Sequence, residues 1–154
     1  MDKIIILDNI RSAHNVGSIF RTADGAGVKK IYLLGYTPAP IDRFGRKQTE
    51  IAKTSLDASE FVSWESVPSG SELSLIQTLK SAGYQIVAVE QSPQAVDFYN
   101  FKVPDKVCYI LGNEVNGVGE ELLKVVDTIV EIPMAGKKES LNVSVTTGII
   151  LFKR

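Results

Sequence analysis

The chain has 154 residues, 44% of them hydrophobic, with 17 Lys and Arg against 18 Asp and Glu and a formal net charge of −1. That length suits one domain with its own core, spanning residues 1–154, and the balanced charge argues against a general polyanion binder, so any nucleic-acid surface has to be a local patch. The single cysteine, Cys108, excludes an internal disulfide and fits a reducing, cytoplasmic setting, no apolar run is long enough to cross a bilayer, and the N-terminus has no signal-peptide pattern.

The first β-branched run, Lys3–Leu7, reads as a strand. It leads into NIRSAHNVGSIFRTADGAG, where Val16, Ile19, Phe20 and Ala23 have the i, i+3, i+4, i+7 spacing of a core-facing helix, with Asn15 as its N-cap. Lys30–Leu34 is the next predicted strand, followed by a loop over Gly35–Thr49 and a strand over Glu60–Trp64. Leu75, Ile76, Leu79 and Ala82 mark a second helix, stopped by Gly83. Strands over Gln85–Glu90 and Lys106–Gly112 flank a long loop, Gln91–Asp105. Glu120 and Glu121, with Lys124 a turn later, suit the dipole of a third helix. A strand over Thr128–Ile132 precedes a final helix from about Val143, for which Ser140 or Asn142 is the cap. The strands are nearly continuous apolar runs, as in a sheet covered on both faces. The expected fold is therefore α/β, with a mostly parallel sheet and helices on both faces.

Three segments carry candidate chemistry. In the first, Arg21 lies on a different helix face from the apolar stripe, either as a surface partner of Asp24 or as a ligand contact, and Gly17 leaves room for a group to approach beside it. Arg11 adds a cation near the end of the first strand, where ligands bind in open α/β sheets. His14, the only histidine, has no acid or nucleophile partner in sequence and reads as loop filler rather than a general base. Cys108, inside VCYILG, reads as a buried structural thiol. In the second segment, LGNEVNGVG, the glycines permit close backbone approach to a ligand, and Glu114 either binds it or braces the loop. The spacing is neither a dinucleotide fingerprint nor a Walker loop, which disfavours a nicotinamide oxidoreductase. In the third, IPMAGKKESLNVSV, Met134 and Leu141 offer apolar walls while Ser140 and Asn142 stand at a helix start with free N–H donors. The basic loop residues Arg43, Arg46 and Lys47 are either a solvated surface or a substrate contact.

Together the segments N-x-R-x-x-x-N-V-G-x-I-x-R-T-A, L-G-N-E-x-x-G-V and I-P-M-x-G-x-x-x-S-L-N-V-S-V resemble the SpoU (TrmH-like) branch of the SPOUT RNA methyltransferases, from Lys3 to the C-terminus. The resemblance implies S-adenosylmethionine as cofactor, a ribose 2′-hydroxyl of tRNA or rRNA as acceptor, a C-terminal deep trefoil knot and a homodimer, with no metal and no membrane partner. By position it implies catalytic roles for Asn15, Arg21, Glu114, Ser140 and Asn142. The cofactor pocket would comprise Leu111, Gly112, Glu114, Gly117, Ile132, Met134, Ser140, Leu141 and Asn142. Arg11, Arg21, Arg43, Arg46, Lys47, Lys137 and Lys138 are then the candidates for RNA contact. The family assigns the arginine as general base, which sits awkwardly with a guanidinium that stays protonated up to about pH 12. Either a neighbouring phosphate relays the proton, or protonated Arg21 clamps that phosphate and stabilises the developing oxyanion. A catalytically silent RNA-binding dimer is the alternative.

Overall fold

The β-branched runs line up side by side in the computed structural model, which describes residues 1–154. β1 (Asp2–Asp8), β2 (Lys30–Leu34), β3 (Trp64–Ser66), β4 (Gln85–Val89), β5 (Val96–Asp97), β6 (Lys106–Leu111) and β7 (Thr128–Glu131) form one sheet in the order β3-β2-β1-β6-β4-β7-β5. Every pairing is parallel. The central strands are buried on both faces, which is why they read as unbroken apolar runs. Alternate side chains serve two cores. Ile5, Leu7, Tyr109 and Leu111 pack under α1 (Ala13–Gly25), α2 (Thr49–Ser55) and α5 (Val143–Phe152). Ile4, Ile6, Cys108 and Ile110 pack under α3 (Glu72–Ser81) and the single-turn α4 (Glu120–Leu123). Burial pushes the Cys108 thiol far above its ordinary range, consistent with an inert core residue.

Several boundaries differ from expectation. The predicted strand Glu60–Trp64 starts too early: residues 58–60 form a 3₁₀ turn and β3 begins at Trp64. Leu56 and Asp57 have φ of +48° and +66°, a left-handed pair that ends α2 and leads into the 3₁₀ turn. β5 lies inside the loop expected over Gln91–Asp105, and α2 follows the loop expected over Gly35–Thr49, where no element was predicted. β5 is two residues long and has no periodicity to read. α2 buries a single apolar side chain, Ile51, in the core under α1, with Ser55 also buried.

Gly17 also plays a different part from the one expected. A Cβ there would sit 1.7 Å from Thr54 Oγ1 and 2.9 Å from the Ile51 carbonyl oxygen, so the group that approaches this helix is α2. The N-cap of α1 is Ser12 rather than Asn15: Ser12 Oγ accepts the Asn15 N–H at 3.1 Å, which puts Asn15 inside the first turn. At the other end of the chain, Lys3 Nζ donates to the Leu151 carbonyl of α5 at 2.5 Å. A cation there meets the negative end of the helix dipole and ties α5 to β1. Lys153 Nζ does the same for the loop after β5, donating to the Phe98 and Tyr99 carbonyls.

Candidate functional site

In a parallel sheet all strands end at one edge, and the loops leaving β1, β4, β6 and β7 meet there. The loops leaving β4, β6 and β7 enclose a cavity of about 490 Å³. All nine of the predicted pocket positions, Leu111, Gly112, Glu114, Gly117, Ile132, Met134, Ser140, Leu141 and Asn142, line it. Val89, Glu90, Gln91, Asn113 and Glu131 line it too and were missed. The signal that could have found Val89, Glu90, Gln91 and Glu131 is position: each ends or directly follows β4 or β7.

The loop after β6 is held by its own geometry and by two carboxylates. Asn113 N–H donates to the Gly117 carbonyl at 3.0 Å and Gly117 N–H to the Asn113 carbonyl at 2.9 Å. A Cβ on Gly112 would lie 2.2 Å from Gly117 C and Val118 N, so only glycine allows the loop to fold back this tightly. Asp8 Oδ2 accepts the Gly119 N–H and Glu90 Oε2 the Val118 N–H, each at 2.8 Å. Burial raises the Asp8 carboxyl above its ordinary value despite that hydrogen bond.

In return the loop presents Glu114 to the start of α1. Its Oε2 accepts the Arg11 N–H at 3.1 Å, and its Oε1 accepts the Ser12 N–H and the Asn15 side-chain amide, both at 3.4 Å. Burial opposes ionisation here, but hydrogen bonds from its own N–H, Arg11, Asn15 and Ser12 outweigh it and hold the carboxyl below its ordinary range. Asn15 passes the chain on: its Oδ1 accepts from Asn142 Nδ2 at 3.3 Å. Asn142 is the N-cap of α5, its Oδ1 accepting from Ser144 N–H at 2.8 Å and Ser144 Oγ at 2.6 Å. Glu114, Asn15 and Asn142 thus link the three sequence segments in one polar chain whose two ends, Glu114 and Asn142, line the cavity.

The predicted cations are placed less uniformly. Arg21 is exposed, on α1 about 9 Å along the axis from Asn15, outside the cavity of its own chain. The surface pair with Asp24 is not formed, and Arg21 makes no ion pair. Arg11 is exposed at the Glu114 end of the site, contributing its backbone N–H. Lys137 and Lys138 line a second cavity of about 330 Å³ that shares Gln91, Glu131, Ile132, Met134 and Glu139 with the first. Arg43, Arg46 and Lys47 stand on the loop after β2, whose Tyr36 hydroxyl accepts from Asn113 Nδ2 at 2.8 Å. His14 is exposed and hydrogen-bonds to none of these groups.

A family model described as the SpoU rRNA Methylase family matches residues 2–152. The chain belongs to the SpoU rRNA methylase family. This SpoU chain is 34% identical over 152 residues to the tRNA (guanosine(18)-2′-O)-methyltransferase of Aquifex aeolicus, covering 99% of itself and 68% of that relative. It is 32% identical over 148 residues to the 23S rRNA (guanosine-2′-O-)-methyltransferase RlmB of Neisseria meningitidis, covering 96% of itself and 56% of that protein. The AdoMet-bound rRNA methyltransferase from Sinorhizobium meliloti superposes with a TM-score of 0.86 at 30% identity, over 98% of this chain and 54% of that one. The chain therefore spans between about half and two-thirds of these SpoU relatives. No group of three or more His, Cys, Asp or Glu side chains that could hold a metal ion is formed, and no helix is long and apolar enough to cross a membrane.

Proposed function

We propose that this SpoU protein methylates a ribose 2′-hydroxyl of tRNA or rRNA using S-adenosylmethionine. The observation that carries the reading is the Glu114–Asn15–Asn142 chain, whose ends Glu114 and Asn142 line a cavity together with every other predicted pocket position. The donor set fits the cofactor. Leu111, Ile132, Met134 and Leu141 supply apolar walls, and the carboxylates of Glu90, Glu114, Glu131 and Glu139 surround the space with negative charge suited to a cationic ligand. When bound, S-adenosylmethionine supplies an electrophilic methyl group on a sulfonium, so the reaction needs no metal.

The chain's residues then have to align the acceptor and remove a proton. Orientation of reactants is worth up to about 7–11 kcal/mol, and the polar chain holds Asn15 and Asn142 in fixed rotamers for that purpose. Ser140, exposed on the cavity wall, stands beside them. Arg21 binds an RNA phosphate and stabilises the oxyanion as it forms, the hydroxyl proton passing late to that phosphate or to solvent water. Because Arg21 lies outside its own cavity, either the RNA bridges the two or a second copy supplies the arginine.

A homodimer through α1 and α5 answers the second case. On α5, Val145 and Phe152 are 50% and 60% exposed, while Ile150 is buried in the chain's own core. The trefoil knot belongs to the same reading. Support comes from β7, which inserts between β4 and β5, and from the Gln91 side chain, which donates to the Glu139 carbonyl. A single domain acting in the cytoplasm completes the proposal.

The test is incubation of the protein with total RNA and methyl-labelled S-adenosylmethionine, followed by nucleoside and position mapping. Label in a 2′-O-methylnucleoside is the expected result. Label only on a base, or RNA binding with no transfer, overturns the reading; the latter outcome is the catalytically silent dimer, which the intact polar chain argues against.

A further inference from the structure

The loop after β2 ends in a small hairpin that the mechanism does not use. Its base is fixed at the site's edge of the sheet: buried Thr37 Oγ1 donates to the Leu7 and Leu34 carbonyls and accepts the Ile10 N–H. An antiparallel bridge between Ile41 and Lys47 closes the stem. At the tip Asp42 organises everything. Its Oδ1 accepts the N–H groups of Phe44 and Arg46, both at 2.9 Å, and its Oδ2 accepts Arg46 Nε at 2.9 Å. Gly45, at φ +76°, completes the turn.

This rigid tip holds a phenylalanine out in solvent. Phe44 is 66% exposed, with the guanidinium carbons of Arg43 and Arg46 at 4.7 Å and 5.0 Å from its ring centroid. Lys47 is neutralised by Glu60 at 3.0 Å and Arg46 by Asp42, whereas Arg43 has no carboxylate partner. An apolar protein partner would want neighbouring apolar surface around the ring. Here two guanidinium groups lie over the ring instead, an aromatic–arginine cluster of the kind on which a nucleobase stacks while a guanidinium turns to its phosphate.

We propose that Phe44 is a stacking platform for an unpaired base of the substrate RNA, with Arg43, the cation free of a carboxylate partner, holding the adjoining phosphate. The inference rests on the reading of the protein as an RNA methyltransferase. The hairpin leaves the same sheet edge as the cavity, and Tyr36 at its start is bonded to cavity residue Asn113. One RNA strand can therefore engage both.

The experiment measures binding of unmodified total tRNA, and of a mixed-sequence single-stranded RNA against its duplex, to the wild type, Phe44→Ala, Phe44→Leu and Phe44→Trp. Loss of one stacked base corresponds to about a 10- to 100-fold weakening, expected for Ala and Leu, with Trp near wild type and its fluorescence quenched by RNA. Arg43→Ala should lower the slope of log affinity against log salt by about 0.7, one single-strand phosphate contact. S-adenosylmethionine binding should be unchanged in all of them, which certifies the fold. Wild-type affinity in Phe44→Leu overturns the platform, since Leu keeps the bulk and loses the π-face. Tighter binding of the duplex than of the single strand overturns it as well. If the wild type transfers methyl to RNA and Phe44→Ala does so with unchanged KM, only the platform fails; if the wild type neither binds nor methylates RNA, the underlying reading fails with it.

Discussion

Asn142 Nδ2 donates to Asn15 Oδ1 across 3.3 Å, joining residues 127 positions apart. Each amide has a second anchor, Glu114 for Asn15 and Ser144 for Asn142, so neither is free to turn. Replacing either with Ala leaves the partner misoriented. Asn15→Ala and Asn142→Ala should each lower kcat far more than they weaken cofactor binding. A double-mutant cycle on kcat/KM should give a coupling of about 0.5–3 kcal/mol, as for residues in one hydrogen-bond network. Strict additivity would show that the contact plays no part in the reaction.

Arg21→Ala should nearly abolish single-turnover methylation while leaving the fold and cofactor affinity intact, because α1 packs through Val16, Ile19, Phe20 and Ala23 rather than through this side chain. Arg21→Lys should rescue poorly, having lost the planar fork. Mixing Arg21→Ala with Asn142→Ala chains separates the two routes to the site. Recovered activity in the mixture means that the arginine is supplied across a dimer; no recovery means that one chain provides both.

Two carboxylates give opposite pH responses. The Glu114 carboxyl is held below its ordinary value of 4.5, so its contribution to stability is present above that value and is lost as pH falls through the folded pKa. The Asp8 carboxyl is raised above 3.8, so the folded state pays for its ionisation as pH rises through the folded pKa. Urea melts between about pH 3 and about pH 7 should show Glu114→Gln losing part of the wild-type acid sensitivity. Asp8→Asn, whose amide oxygen still accepts the Gly119 N–H, should gain stability relative to wild type as pH rises. Parallel curves for both variants and wild type would contradict the assignment.

Gly112→Ala should separate the loop from itself, since the new Cβ would lie 2.2 Å from backbone atoms that cannot swing away. A cost of about 1–3 kcal/mol is expected for such overpacking, together with loss of cofactor binding by calorimetry. Gly136→Ala is the control: nothing lies within 4 Å of its added Cβ, and its melting point should match wild type.

Tyr109 is fully buried, its hydroxyl has no hydrogen-bond partner, and burial pushes its pKa up to about 12. An unsatisfied buried group costs about 1–3 kcal/mol. Tyr109→Phe removes it without opening a cavity and should raise the melting temperature by about 2–4 °C per kcal/mol recovered. A lower melting temperature would mean that the hydroxyl is paired in solution.

The sequence alone determined the strands at the centre and the face that each main helix buries, because those choices depend on local periodicity. Ile5 and Leu7 point one way and Ile4 and Ile6 the other in any strand pairing. The pocket membership of the second and third segments came from their resemblance to the SpoU motifs, since glycines, a proline and caps after strands are commonplace on their own. Tertiary structure decided what no local pattern encodes. The partner of Gly17 is a helix 34 to 37 residues away in sequence, at Ile51 and Thr54, so a missing Cβ looked like room for a ligand until that helix was in place. Glu114 looked equally able to bind a ligand or to brace its loop, and only the approach of the Arg11–Asn15 segment from β1 made it the acceptor for three donors. Arg21 illustrates the same division. Its spacing from Asn15 marks the family, but its distance from the cavity is set by the axis of α1, and a helix fixes that axis through its packing rather than through its exposed residues.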